Sequence, residues 1–532
     1  MNDHETHART WNKIALAITV LVLARGILWL SVLPPLEGPD EYQHIAYLVY
    51  LKEKHVVPNY ETARISESMN DVVKAFPHPV HSASQLAPRG WSARTYPEFW
   101  NDTPAQSPER LTSLHLYQSQ HPPLFYVVSL PLWLLFASRD YLLAINAIRL
   151  LNVLLLAASV FVFLKILQSW VTKLRHRVFI GLLVGFYPML LTMTARVSND
   201  SLAIFLAMLA LYFITKPATE KSTRNVVIAS GLVALAMLTK STALVMAPAI
   251  IVSIGLAFYR GKLTFVKAAK HVALVALVIG IILAPVYVYY YVATGDWFRT
   301  GRNVTFRLDD QSLWWIWSHA RYIGWSTSLI DWVFAPHFWT SGWSFVLEPT
   351  WLWFPYMAMM YGFWIAFVVI GLFRGWRRRK PAAREHIFAR NDPALIFGTI
   401  VLSNVLALGA YSTLSIANWG FNTVVPSYFM IALPVWMALL YQAAVFLGPR
   451  FAAWFACACL SFYAVMETMA AVYIMPNMSS AATGMEAWRR VAALHPVFPG
   501  PWFVIPCLIL IGGSLVFIYR HTRRAAKGEV IV

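Results

Sequence analysis

The chain has 532 residues, of which 58% are hydrophobic and only 13% charged, about half the charged fraction of soluble domains. Its formal net charge of +18 would point to nucleic acid in a soluble protein, but the basic residues fall mainly in short segments between apolar runs. A soluble globular domain and a nucleic-acid partner are thereby excluded, and the expected class is an all-α polytopic membrane protein.

The N-terminus reads MNDHETHARTWNK, followed by about twenty apolar residues from Ile14 to Leu33, enough to cross a bilayer. Pro34-Pro35-Leu36-Glu37 comes next without a small-residue cleavage pattern, so an uncleaved anchor is expected. Runs of roughly 17–25 apolar residues mark spans. They are expected near 12–33, 142–168, 178–196, 199–215, 226–239, 242–259, 272–294, 352–373, 394–411, 428–447, 450–475 and 501–519. The run His121 to Ala137 is ambiguous, with three prolines in 17 residues. If it does not cross, Lys173–Arg177, Lys216–Arg224, Arg260–Lys270, Arg374–Arg390 and Arg520–Lys527 all lie inside, as the positive-inside bias favours. This gives about twelve spans, both termini cytoplasmic, and 121–137 as an interfacial or re-entrant helix.

The same topology divides the chain into a module 1–294 with a long first outer loop 34–140, an outer loop 295–350, and C-terminal spans over 351–532. Three polar pieces share the outer face: loop 34–140, the turn Arg196 to Asp200, and loop 295–350. The turn at Lys240 joins them. The cysteines Cys457, Cys459 and Cys507 lie inside apolar runs, at no zinc or disulfide spacing.

The chemistry-bearing residues lie on that face. In Gly38-Pro39-Asp40-Glu41-Tyr42-Gln43-His44 two acids follow a proline-rich stop, and Ile45 to Leu51 is expected to lie along the surface as a helix. On that helix Asp40 and His44 would share a face. A carboxylate partly desolvated at the membrane boundary has a raised pKa and suits a general base; the plain alternative is a solvated charge pair. Arg196 and Asp200 flank a tight turn beside apolar runs, where charges are costly unless paired or functional; a snorkelling arginine and an Asp helix cap are the plain alternative. Lys240-Ser241 lacks the glycines of a phosphate loop, so nucleotide binding is rejected; the lysine either holds a lipid phosphate or marks a turn. Tryptophans crowd the loop 295–350, Trp339 and Trp343 among them, beyond the needs of an interfacial belt. Indole faces also stack on sugars.

Taken with His121-Pro122-Pro123-Leu124-Phe125-Tyr126, Arg149, Asp200 and Leu238-Thr239-Lys240, the Asp40-Glu41 pair resembles the GT-C glycosyltransferases, the superfamily of protein O-mannosyltransferases and the lipid A aminoarabinose transferase. Within it, Pro39-Asp40-Glu41 with His44, and Phe338-Trp339…Gly342-Trp343, most resemble a bacterial family of predicted membrane proteins. One departure stands out: where many relatives have Gly-Arg-Tyr before a late span, this chain reads Pro426-Ser427-Tyr428-Phe429.

The resemblance implies transfer of a sugar from a polyprenyl-phosphate donor to a glycan, lipid or protein acceptor, outside the cytoplasmic membrane of a bacterium. It implies Asp40 and Glu41 as the catalytic carboxylates, with Asp40 the base that takes the acceptor proton. Lys240, Arg196 and Arg149 would hold the donor phosphate, and His44, His121, Tyr126, Asp200, Trp339 and Trp343 the substrates. Some relatives use a divalent metal and others do not, which leaves a magnesium or manganese ion on Asp40, Glu41 and Asp200 open. A transporter or flippase of lipid-linked sugars is the alternative, although no internal repeat is evident. A non-catalytic envelope scaffold is another, kept open by the missing arginine.

Overall fold

A computed structural model describes residues 3–36, 40–77, 96–101, 114–216, 222–295, 387–388, 392–419, 426–479, 484–495 and 501–526. Regular structure among these is helical, apart from two isolated bridges, Arg64 with His115 and Val171 with Phe388. Among the described residues six helices are long and apolar enough to cross a membrane: Ala8–Val32, Tyr141–Trp170, Ser241–Tyr259, Phe265–Ala293, Asp392–Ser412 and Val504–Arg524. Five shorter apolar helices accompany them. Every expected span on described residues is helical, while 352–373, Trp339 and Trp343 lie outside them.

Some expected spans are not continuous α-helices: 428–447 and 501–519 open with 3₁₀ turns, and two others also break. The stretch 178–196 divides into Leu174–Gly185 and Pro188–Thr194. Pro188 has no N–H to continue the ladder and holds Tyr187 in an extended conformation, φ −61° and ψ 117°. Before 247–259 the chain leaves the Thr223–Thr239 helix at an extended Lys240 (φ −152°, ψ 120°) and makes a 3₁₀ turn over Ser241–Met246. Only then does it resume as Ala247–Tyr259.

The ambiguous run forms a helix over Leu124–Phe136. Thirteen residues rise about 20 Å, short of a hydrocarbon core of about 30 Å. The helix after the acidic pair spans Glu41–Lys54 and corrects one expectation. Ile45, Ala46, Tyr47, Leu48 and Val49 are consecutive and all buried, so no face of this stretch is left to lie on a surface. It packs against Leu124–Phe136, the 3₁₀ turn Tyr117–Gln120 and the short helix Met69–Lys74.

Exposed apolar surface concentrates on helices such as Phe265–Thr294 and Val504–Ala526, where Val292 and Ile509 are 79% and 68% exposed. Such faces are stable against lipid and costly in water. The first helix, Asp3–Val32, instead sits in the interior against Tyr141–Trp170 and Val504–Ala526. Gly26 allows the first of these approaches, because a methyl there would run into Val153.

One ion pair fastens the first helix to the late helix Pro449–Ser479. Arg25 donates from Nη2 to Glu467 at 2.5 Å and from Nε at 3.1 Å, and its Nη1 donates to the Gly185 carbonyl. The Trp29 indole donates to the same carboxylate at 2.8 Å. Removing Glu467 strands a buried guanidinium. Glu467→Ala should destabilise the protein by about 3 kcal/mol, seen as a lower melting temperature in detergent, with Arg25→Met restoring much of the loss.

Candidate functional site

The first helix stops at Val32, before Pro34-Pro35. Two residues then take positive φ, Leu36 at 66° and Asp40 at 57°. Aspartate tolerates this left-handed region better than most side chains, and such conformations persist only where their surroundings fix them. Here the Asp40 carbonyl accepts from the N–H groups of Gln43 (2.9 Å) and His44 (3.0 Å), starting the Glu41–Lys54 helix. The sharp reversal sends the two acids to different partners.

The Asp40 carboxyl accepts from the Tyr117 hydroxyl and from Gln118 Nε2 at 3.1 Å, both carried by the Tyr117–Gln120 turn. Burial raises its pKa above the usual carboxylate value; Tyr117 and the charges of Arg196 and Lys240 oppose that rise without cancelling it. Tyr117 is itself held well above its ordinary pKa by burial and by Asp40, so it keeps its proton and remains the donor.

Glu41 is fully buried and fully engaged. Arg149, on the Tyr141–Trp170 helix, grips it with two parallel bonds, Nε to Oε1 at 2.7 Å and Nη2 to Oε2 at 2.6 Å. The Val197 N–H adds a third at 2.7 Å. Arg149 also donates to the carbonyls of Leu33 and Pro34, each at 2.8 Å, and so closes the end of the first helix. His495 is buried behind this pair, and burial together with the neighbouring Arg149 pushes its pKa down to about 3.

A second charged group faces Asp40. Arg196 and Asp200 are 3% and 4% exposed, so neither is a solvated or snorkelling residue. Lys240 Nζ lies 2.5 Å from Asp200 Oδ1 and 5.2 Å from the centroid of the Tyr428 ring, while Arg196 Nη2 is 3.7 Å from Asp200 Oδ2. The turns carrying these charges are tied together. Asn199 donates to the Thr239 carbonyl at 3.1 Å, and Asn152 donates to those of Arg196 and Ser198 at 2.6 and 3.1 Å. The extended Lys240 thus carries its ammonium into a preformed clamp. The charges of Arg196, Lys240 and Asp200 all act on the Asp40 carboxyl, and Asp40 and Asp200 both act on Tyr428.

His44, Tyr126 and His121 pack together within range of these charges. His44 Nδ1 is 2.9 Å from the Tyr126 hydroxyl, and its ring stacks on His121 with centroids 6.3 Å apart. Tyr126 stacks on Tyr47 at 3.6 Å. Burial, then the charges of His121, Arg196 and Lys240, lowers the His44 pKa well below normal, so the ring is neutral. Asp40 and His44 were expected to share a helical face; instead the left-handed backbone at Asp40 turns its carboxyl to Tyr117 and Gln118 while His44 turns to Tyr126.

Sequence reasoning passed over Tyr117, Gln118, Tyr428 and His495. Tyr117-Gln118 lies just ahead of His121-Pro122-Pro123, and that proximity was the available signal. A divalent metal does not fit the carboxylates considered for it. Glu41 is saturated by Arg149 and the Val197 N–H, and Asp200 already holds Lys240, so cations occupy the places a metal would need. Among the described residues no group of three or more His, Cys, Asp or Glu side chains is arranged to hold one.

A many-helix membrane protein with a charged cluster, where acids and cations from three separate turns meet, is the class that fold and site define. The chain belongs to the family described as Predicted membrane protein (DUF2142), which matches residues 23–439. Among solved structures it is similar to ArnT from Cupriavidus metallidurans bound to undecaprenyl phosphate, at 14% identity and a TM-score of 0.48 over 96% of this chain and 72% of that one. The apo state of the same protein matches at 15% identity and a TM-score of 0.46, over 97% and 75% of the two chains. The archaeal oligosaccharyltransferase AglB from Archaeoglobus fulgidus, in complex with an inhibitory peptide and a dolichol-phosphate, matches at 13% identity and 0.32, over 95% and 56%. A search of curated proteins finds no match.

Proposed function

We propose that this protein is a GT-C type glycosyltransferase that moves a sugar from a polyprenyl-phosphate donor to a glycan, lipid or protein acceptor. The reaction is assigned to the extracytoplasmic face of a bacterial cytoplasmic membrane, with both termini inside. The observation that carries this reading is the meeting of Asp40, a carboxyl with a raised pKa, with the Lys240–Asp200–Arg196 cluster. A donor with a hydrocarbon tail stays in lipid, which accounts for the many apolar helices beside a charged cluster. Asp40 takes the proton of the acceptor hydroxyl as its oxygen attacks the anomeric carbon. The bond from that carbon to the phosphate oxygen breaks, and the departing polyprenyl phosphate gathers charge beside Lys240 and Arg196. Glu41 and Arg149 satisfy each other and are assigned to positioning: they fix the turn that aims Asp40.

The test is whether cells lacking the protein accumulate a sugar-linked polyprenyl phosphate, read by mass spectrometry of extracted lipids. Restoration by the wild-type chain supports the reading, and unchanged lipid-linked sugar pools would overturn it. Lys240→Met should lower kcat/KM for the donor by about 10²–10³-fold, as loss of one preorganised transition-state contact does, in initial-rate assays over a donor series. The base must be ionised, so activity should fall as pH drops through the raised Asp40 pKa. Tyr117→Phe deletes a bond that favours the ionised form. Its acidic limb should therefore move to higher pH, which a pH–rate profile reads directly.

A further inference from the structure

A concavity lies apart from the charged cluster. It is a cavity of about 300 Å³ walled by Phe76, Phe99, Trp100 and Tyr141, with Asp140 at its edge and Ala493-Leu494 closing one side. Three parts of the chain meet here: the first outer loop, the start of the Tyr141–Trp170 helix and the end of the amphipathic helix Gly484–Ala493. Arg490 of that helix sits 5.7 Å from the Trp100 ring, and Asp71 acts on Tyr141. The Trp100 indole N–H is buried with no partner among the described residues.

We propose that this cavity binds a pyranose ring of the acceptor, which makes the acceptor a saccharide or a saccharide-bearing molecule. The proposal rests on the glycosyltransferase reading above. Pockets of this size hold small ligands, with apolar walls for contact and a few polar groups for orientation. Aromatic faces suit the CH face of a sugar. The Asp140 carboxylate accepts its hydroxyls. An acyl chain would fill the walls but leave the Asp140 carboxylate against hydrocarbon, at a desolvation cost. Position agrees with a distal subsite. Tyr141 and Arg149 lie eight residues apart on one helix, a rise of about 12 Å, and Arg149 clasps the neighbour of Asp40. Leu494 on the cavity wall is followed by His495, packed behind the same arginine.

The test uses the purified full chain in lipid nanodiscs and saturation-transfer NMR with methyl mannoside, methyl glucoside, N,N′-diacetylchitobiose and decanoate. At least one saccharide should bind saturably. Trp100→Ala should abolish that binding. Asp140→Asn, which keeps a good helix cap, should weaken it about tenfold, as loss of one charge-assisted bond does. Asp40→Asn should bind the saccharide as wild type does while failing in transfer. Absence of saccharide binding, equal binding to folded Trp100→Ala, unchanged binding to Asp140→Asn or displacement by decanoate would each overturn the subsite. If saccharide binding holds but Asp40→Asn transfers normally, the catalytic reading fails and the subsite stands as a sugar-binding site.

Discussion

Replacing Asp40 by asparagine should reduce transfer by about 10²–10⁴-fold, the range of a positioned general base, while the protein still folds and inserts. Asparagine nearly matches aspartate in shape and tolerates the same left-handed backbone, which φ 57° at this position demands. It can also accept from Tyr117 through its carbonyl oxygen, so the turn Tyr117–Gln120 keeps an anchor. What disappears is the site where a proton can land. The measurement is single-turnover transfer from a lipid-linked donor, with melting temperature as the control for folding. Full transfer by well-folded Asp40→Asn protein would remove Asp40 from the chemistry. Asp40→Glu should recover little, because its longer side chain displaces the carboxylate from the Tyr117 and Gln118 donors.

The class of fold was readable from apolar run lengths, because hydropathy reports the solvent each helix meets. Helix breaks were partly readable. Lys240 interrupts an apolar stretch and does end a helix, whereas Pro188 breaks the stretch 178–196 whose apolar length alone reads as one span. Adjacency misled most at Asp40-Glu41. Two neighbouring acids looked like one pair, yet a positive φ at Asp40 sends the first to Tyr117 and the second to Arg149, 108 residues on. No local pattern encodes that division, since it depends on where the Tyr141–Trp170 helix presents its guanidinium. The same holds for Arg25 and Glu467, 442 residues apart, and for Tyr428 beneath Lys240. Pairings across the helix bundle are set by packing, and a single sequence shows only the residues available for them.

The second large effect is expected at that division. Arg149 and Glu41 are both fully buried, joined by two short bonds, and further tied to Leu33, Pro34 and Val197. Glu41→Ala leaves a guanidinium without its counter-charge, at a cost of about 3–5 kcal/mol, a large part of the 5–15 kcal/mol that typically holds a domain folded. The expected result is a strongly lowered melting temperature and poor recovery from membranes. Arg149→Met together with Glu41→Met removes both charges and should recover much of that loss. Recovery should stay incomplete, because the Leu33 and Pro34 carbonyls and the Val197 N–H lose their partners. Activity separates positioning from chemistry. If Glu41 only fixes the turn, the folded fraction of Glu41→Gln keeps substantial transfer per molecule, with any loss shared between kcat and KM. A Glu41→Gln protein that melts normally and yet transfers nothing would instead make Glu41 the catalytic carboxylate and Asp40 its neighbour.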